Sequence, residues 1–180
     1  MNERIAPCVD ASDDITAIIA MTAPPDRDPP GTISVLAHRP AMLTTFLPWA
    51  RVLAREGVLD RRDHEILALR ASINCRSAFE WGEHLLFARD AGLTDVEIDQ
   101  VVVGADAPGW SVHDAALVRA ADQLHRGCDI DDVTWAVLAA RYDAPSLVEV
   151  VYVVGQYTML SMVANGLRVN VPASFRPLPG

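Results

Sequence analysis

The chain reads as an all-α domain, a bundle of about seven or eight helices. Three observations predict this. Apolar residues recur at helical spacing through most of the 180 residues. Capping residues and Gly or Pro punctuate the segments where helices would begin and end. Convincing alternating strands and hairpin turns are absent.

The elements follow in order. A weak amphipathic stretch spans Asp14 to Met21, and Pro24 to Gly31 is a proline-rich loop that cannot be helix. Ile33 to Arg39 forms a short segment broken at Pro40. A helix from Ala41 to Glu56 ends at Gly57, a plausible residue just beyond a helix C-terminus. Asp60 caps a helix whose Ile66, Leu67, Leu69 and Ile73 recur at helical spacing. The next helix runs from about Ser77 to Ala91 and stops at Gly92. Thr94-Asp95-Val96-Glu97 is a capping box, and Gly104 to Gly109 is a loop. Ser111 opens a helix that closes near Gly127, and Asp131 or Asp132 caps another through Tyr142. Pro145 suits a first helical turn, from which an apolar helix runs to about Asn165. The tail from Val169 to Gly180 is proline-rich and extended.

Composition narrows the function. The net charge is −9, which argues against nucleic acid and anionic membrane as partners, since both require a basic patch. All 15 basic residues are arginine, so Schiff-base chemistry and a lysine general base are excluded. Cys8, Cys75 and Cys128 are far apart and form no C-x-x-C, so neither a dithiol motif nor a zinc knuckle is present. Reduced thiols in a cytoplasmic protein are the expectation. The acidic N-terminus lacks the basic start of a signal peptide. The apolar run from Leu147 to Ala164 contains Glu149 and Gln156, and a buried core or interface helix is expected there in place of a membrane span.

One segment carries candidate chemistry. Ser77, Glu80, Trp81 and His84 fall at i, i+3, i+4 and i+7 of a helix and share one face. A lone histidine on a helix is usually structural, and His38, His64, His113 and His125 have no comparable company. Glu80 lies one turn before His84 and can hydrogen-bond its imidazole; Glu83 and Arg89 are expected to face solvent. Glu65 lies on the preceding helix on a face with Leu69 and Ile73. It is either a buried paired carboxylate or an exposed partner of Arg61, Arg62 or Arg70. Glu80 and His84 are half of a di-iron-like pattern, but their spacing is i, i+4 and no second copy exists, so no metal is expected. Ser77 lacks a nucleophile elbow. Cys75 precedes the helix and is either activated by its N-terminus or an inert buried thiol.

Glu65 followed by Ser77-x-x-Glu80-x-x-x-His84 resembles the signature of the carboxymuconolactone decarboxylase family, which includes alkylhydroperoxidase D-like proteins. Redox members of that family carry a glutamate followed by C-x-x-C-x-x-x-H. Glu65 and His84 fall on the family's glutamate and histidine, and Ser77 and Glu80 fall on its cysteines. Leu36 to Pro40, Arg62 to Leu67, Phe79 to His84, Ala91 to Asp95, and Gly155-Gln156-Tyr157 with Asn165 resemble a cysteine-lacking branch. The resemblance spans residues 33–170, leaving 1–32 as an N-terminal extension and 171–180 as a tail.

The resemblance implies an alkylhydroperoxidase D-like bundle that assembles as a homo-oligomer, a trimer or hexamer, with helix 146–165 suited to the interface. It implies a glutamate–histidine proton relay and no cofactor. Peroxide reduction through a disulfide needs two thiols, which Ser77 and Glu80 cannot supply. The expectation is a non-redox acid/base enzyme acting on a small-molecule substrate by decarboxylation or proton transfer. His84 exchanges the proton, Glu80 and Glu65 tune it, Ser77 holds a substrate oxygen, and Trp81, Phe79 and Tyr157 wall the pocket. The carboxylates disfavour an anionic substrate unless Arg70 or Arg76 offsets them, so a neutral or weakly acidic lactone, enol or ketone fits best. The alternative is a catalytically silent ligand-binding or structural oligomer.

Overall fold

The computed structural model describes residues 3–23 and 28–180; four residues of the expected proline-rich loop, 24–27, lie outside them. The described residues form nine helices and no strand. The count exceeds seven or eight because both short N-terminal segments are helical. The chain divides into two compact units, Met1–Gly57 with Val163–Asn170, and Val58–Met162 with Val171–Gly180.

The first unit contains α1 (Asp13–Ala20), α2 (Gly31–Leu36) and α3 (Pro40–Arg55). Asp13 and Asp14 occupy the first turn of α1, where carboxylates complement the positive end of the helix dipole. Pro40 begins α3, because a first-turn proline lacks only an N–H that would have no intrahelical partner. The core is Ile15, Ile33, Ala37 and Leu43, with Phe46 and Leu47 packed against it. Arg4 ties the N-terminal segment to the end of the last helix through its backbone N–H to Leu167 and its guanidinium to the Gly166 carbonyl.

The second unit is built around α4 (Arg61–Asn74). This helix packs against α5 (Ala78–Asp90), α6 (Asp95–Val103) and α7 (Val112–Gly127), and α8 (Asp132–Ala139) packs against α7. A helix surrounded on several sides must bury more than one stripe. Every residue of α4 from Asp63 to Leu69 is accordingly buried, three of them ionisable. Local capping sets the starts. Asp60, Ser77, Thr94, Ser111 and Asp131 each accept a hydrogen bond from a backbone N–H of the first turn. Thr94 and Glu97 complete the reciprocal capping box.

The last helix, α9, runs from Ala144 to Leu167, longer at both ends than expected, and α8 stops at Ala139, short of Tyr142. Glu149 of α9 accepts the backbone N–H groups of Val58 and Leu59 at 2.7 and 3.2 Å. Among the described residues α9 alone is long and apolar enough to cross a membrane, with a mean hydropathy of 1.5. Its faces differ. Val150, Val153, Val154, Tyr157 and Ser161 are buried, whereas Val148, Tyr152, Met159 and Met162 are exposed. An open apolar groove of about 350 Å³ lies at α8 and α9, walled by Trp135, Ala144, Leu147, Val148, Val151 and Tyr152.

Candidate active site

The site is assembled by the junction of α4 and α5. Cys75 closes α4, Arg76 turns the chain with a left-handed φ of 51°, and Ser77 donates its N–H to the Ser72 carbonyl at 2.9 Å. Ser77 is the N-cap, outside the helix proper. Its hydroxyl accepts the Glu80 N–H at 3.4 Å. Glu80, Trp81 and His84 then share a face of α5, all nearly inaccessible to solvent at 3%, 0% and 4% exposure.

Glu65 is buried, and its Oε2 accepts the His84 Nδ1 proton at 2.7 Å. The hydrogen bond that the one-turn spacing offered to Glu80 is thus made by Glu65, across two helices. Glu80 Oε2 stands 3.8 Å from His84 Nε2, within ion-pair range but too far for a hydrogen bond. The alternative of Glu65 as an exposed arginine partner is overturned by its burial, at 2% exposure; Arg62 pairs with Glu97 and Asp114, and Arg70 with Asp122.

The electrostatics of these three groups are coupled. Burial pushes the His84 pKa down, but the charge and hydrogen bond of Glu65 outweigh it and raise the pKa overall. Burial pushes Glu80 up to about 7, against the opposing pull of His84 and with the repulsion of Glu83. A second carboxylate beside an already paired imidazolium would be an uncompensated buried charge, so Glu80 holds its proton in the neutral range. Its Oε1 has no hydrogen-bond partner, and neither has the indole Nε1 of Trp81. Both orphaned atoms lie on the face of α5 that carries His84. Buried polar atoms of this kind are normally satisfied by water or a ligand.

Tyr157 of α9 completes the enclosure. Its ring meets His84 edge-on with centroids 4.1 Å apart, and its hydroxyl lies 2.9 Å from His64 Nε2. Burial, with help from the His84 and Arg61 charges and against that of Glu65, lowers His64 to about 4, so it is neutral. Sequence reasoning set His64 aside; the signal it carried was its position next to Glu65 in the Arg62 to Leu67 segment. Phe79 is also placed differently from a pocket wall. It faces Phe175 of the tail at 6.1 Å, and that ring fills the space a Cβ on Gly82 would need, at 2.0 Å. Arg76 is exposed, and Arg70 donates to Asp122 and to the Val101 and Val102 carbonyls, so neither supplies a cation to offset the carboxylates. Glu83 is half-buried and Arg89 exposed. Cys75 Sγ lies 3.8 Å from His125 Nδ1, and burial, the largest influence, raises its pKa, which disfavours a thiolate. Among the described residues no group of three or more His, Cys, Asp or Glu side chains is arranged to hold a metal ion.

Residues 40–123, which include Glu65, Ser77, Glu80 and His84, match the carboxymuconolactone decarboxylase family. Over these residues, just under half of the chain, the sequence is similar to that family. Solved structures share the fold well beyond that segment. An uncharacterised peroxidase-related protein from Silicibacter sp. TM1040 is 15% identical with a TM-score of 0.83, over 97% of this chain and 95% of that one. An uncharacterised peroxidase-related protein from Ralstonia eutropha JMP134, described as an alkylhydroperoxidase AhpD core, is 16% identical with a TM-score of 0.83, over 96% and 94%. The debrominase Bmp8 is 11% identical with a TM-score of 0.76, over 96% and 94%. No curated protein sequence matches the chain. The chain therefore has the alkylhydroperoxidase D-like helical fold, and Ser77 and Glu80 stand where the resemblance places the C-x-x-C of the redox proteins.

Proposed function

We propose that this chain is a non-redox acid/base enzyme acting on a small neutral or weakly acidic carbonyl compound, such as a lactone, enol or ketone. The observation that carries the reading is Glu80. It is a buried carboxyl that keeps its proton up to about pH 7, has an unpartnered oxygen, and stands 3.8 Å from an imidazole bonded to a second carboxylate. Removing an α-proton or CO2 from such a substrate places negative charge on a carbonyl oxygen. The Glu80 proton neutralises that charge; in α-proton removal the neutral imidazole of His84 takes the proton at Nε2, and after loss of CO2 the imidazolium, stabilised by Glu65, delivers its Nε2 proton to the carbon. The unpartnered Trp81 N–H suits a second acceptor on the substrate. The absence of Arg70 and Arg76 from the site supports a substrate without a strong negative charge.

The experiment is a thermal-shift screen of small lactones, enols and ketones across the pH range in which Glu80 titrates. Hits are then followed by exchange of the α-proton for deuterium. Exchange that disappears in His84→Ala and Glu80→Gln supports the reading; exchange at the wild-type rate in both sinks it. A catalytically silent oligomer is the second reading, favoured by the near-complete burial of Glu65, Glu80 and His84 in the single chain. It predicts no exchange with any hit. Self-association through the exposed apolar face of α8 and α9 is proposed with either reading, because Trp135, Val148 and Tyr152 are each more than 40% exposed there.

A further inference from the structure

We propose that His64 and Tyr157 form a positioning pair for His84, in which the phenol tethered to His64 locks the His84 ring in the one orientation that gives Nδ1 to Glu65 and turns Nε2 toward Glu80. Three contacts carry this. The Tyr157 hydroxyl and His64 Nε2 are 2.9 Å apart, the Tyr157 and His84 rings meet edge-on at 4.1 Å and 72°, and His64 and Tyr157 themselves meet at 5.5 Å and 81°. All three side chains are at most 5% exposed. Phe87 brackets the other contact of the His84 ring at 5.7 Å.

The pairing has a physical logic. An imidazole in a buried cavity can flip about its terminal torsion, exchanging the positions of its nitrogens and carbons. A flip here would break the Glu65 bond. A neutral His64 offers Nε2 as an acceptor, so the phenol donates to it, and the ring of Tyr157 is held at a fixed height beside His84. Were the roles reversed, the phenolic proton would have no partner in the contacts described. His64 and His84 lie on adjacent helices beside one carboxylate, and burial, aided by the charge taken by His84, keeps His64 neutral. The groups that act on His84 are Glu65 and His64 from α4, Glu80 and Glu83 from α5, and Tyr157 from α9; Arg61 acts on His64 and Tyr157.

The pair belongs to the same site as the proposed acid/base function and adds to that reading, yet it is visible without substrate. The test is proton and nitrogen NMR of the imidazoles in ligand-free full-length protein, following the hydrogen-bonded His84 Nδ1 proton and the His84 titration midpoint. Tyr157→Phe removes the tether and keeps the ring. It is expected to broaden or abolish the Nδ1 signal and lower the His84 midpoint, while circular dichroism stays that of wild type. His64→Leu is expected to do the same, and His64→Gln, whose amide oxygen can accept the phenolic proton, to restore the signal. A Tyr157 that acts only by packing leaves Tyr157→Phe indistinguishable from wild type, which overturns the proposal. If Tyr157→Phe does not fold, the His64 variants decide, and equal signals in His64→Leu and His64→Gln overturn it. Failure to find any substrate leaves these signals untouched, so it counts against the acid/base reading alone.

Discussion

At the residue scale, Glu80 determines how this site behaves with pH. Burial raises its folded pKa from 4.5 to about 7. The unfolded chain therefore releases this proton first as the pH rises. The contribution of Glu80 is fully present below its unfolded value and is lost as the pH climbs through the folded value. At about 1.4 kcal/mol per pKa unit, the swing is on the order of 3 kcal/mol. Glu80→Gln removes it, so the stability of the variant is expected to gain on that of wild type as the pH rises from about 4.5 to about 7, as denaturant titrations at a series of pH values would show. A constant difference across that window contradicts a buried, proton-holding carboxyl. His84 adds in the same direction, since its raised pKa also makes stability fall as the pH rises through the folded value. The identity of the candidate residues was legible from residue type and spacing, but their pairing was not. Helical periodicity ranks Glu80 as the nearest partner of His84, and only the crossing of α4 over α5 brings Glu65 to Nδ1.

At the element scale, the ends of helices were the legible part. Caps are local, formed by residues within four positions of each other, and Asp60, Thr94 and Ser111 act where their spacing placed them. Ser77 shows the limit of that reading. Periodicity extends the α5 face back to it, but the left-handed turn at Arg76 makes it a cap. Ser77→Ala is expected to cost about 1 kcal/mol of stability, measured by denaturant unfolding, through loss of that cap. Gly82 offers a second check. Its bare Cα lets the Phe175 ring pack against α5, and a Cβ there would stand 2.0 Å from the ring. Gly82→Ala is expected to destabilise the protein by about 1–3 kcal/mol despite the better helix propensity of alanine. Phe175→Gly also removes the Cβ that would stand 2.7 Å away, so in that background Gly82→Ala should cost much less than in wild type. Additive effects in this double-mutant cycle would mean that the tail does not pack on Gly82.

At the scale of the whole molecule, α9 has one buried face and one exposed apolar face. An exposed stripe that includes Val148, Tyr152, Met159 and Met162, beside an apolar groove, is the kind of surface that a second chain covers. If self-association uses this face, Val148→Glu is expected to shift the wild-type oligomer to a smaller species in analytical ultracentrifugation, with the Glu65–His84 pair intact by NMR. A wild-type monomer at all concentrations overturns the proposed assembly.

The amino-acid sequence by itself determined that the chain is helical, where most helices begin, and which residue types are present for chemistry. Through its resemblance it also set the expectation of a non-redox site, because Ser77 and Glu80 stand where the redox proteins of that family carry thiols. These properties follow from short-range rules of periodicity, capping and composition. The tertiary structure decided the rest. It gave Glu65 to His84, Tyr157 to His64 and Phe79 to Phe175, partners separated by 19, 93 and 96 positions in the chain. It also left the Glu80 proton without an acceptor in the protein, since desolvation and charge balance depend on what surrounds a group in space and not on what precedes it in sequence.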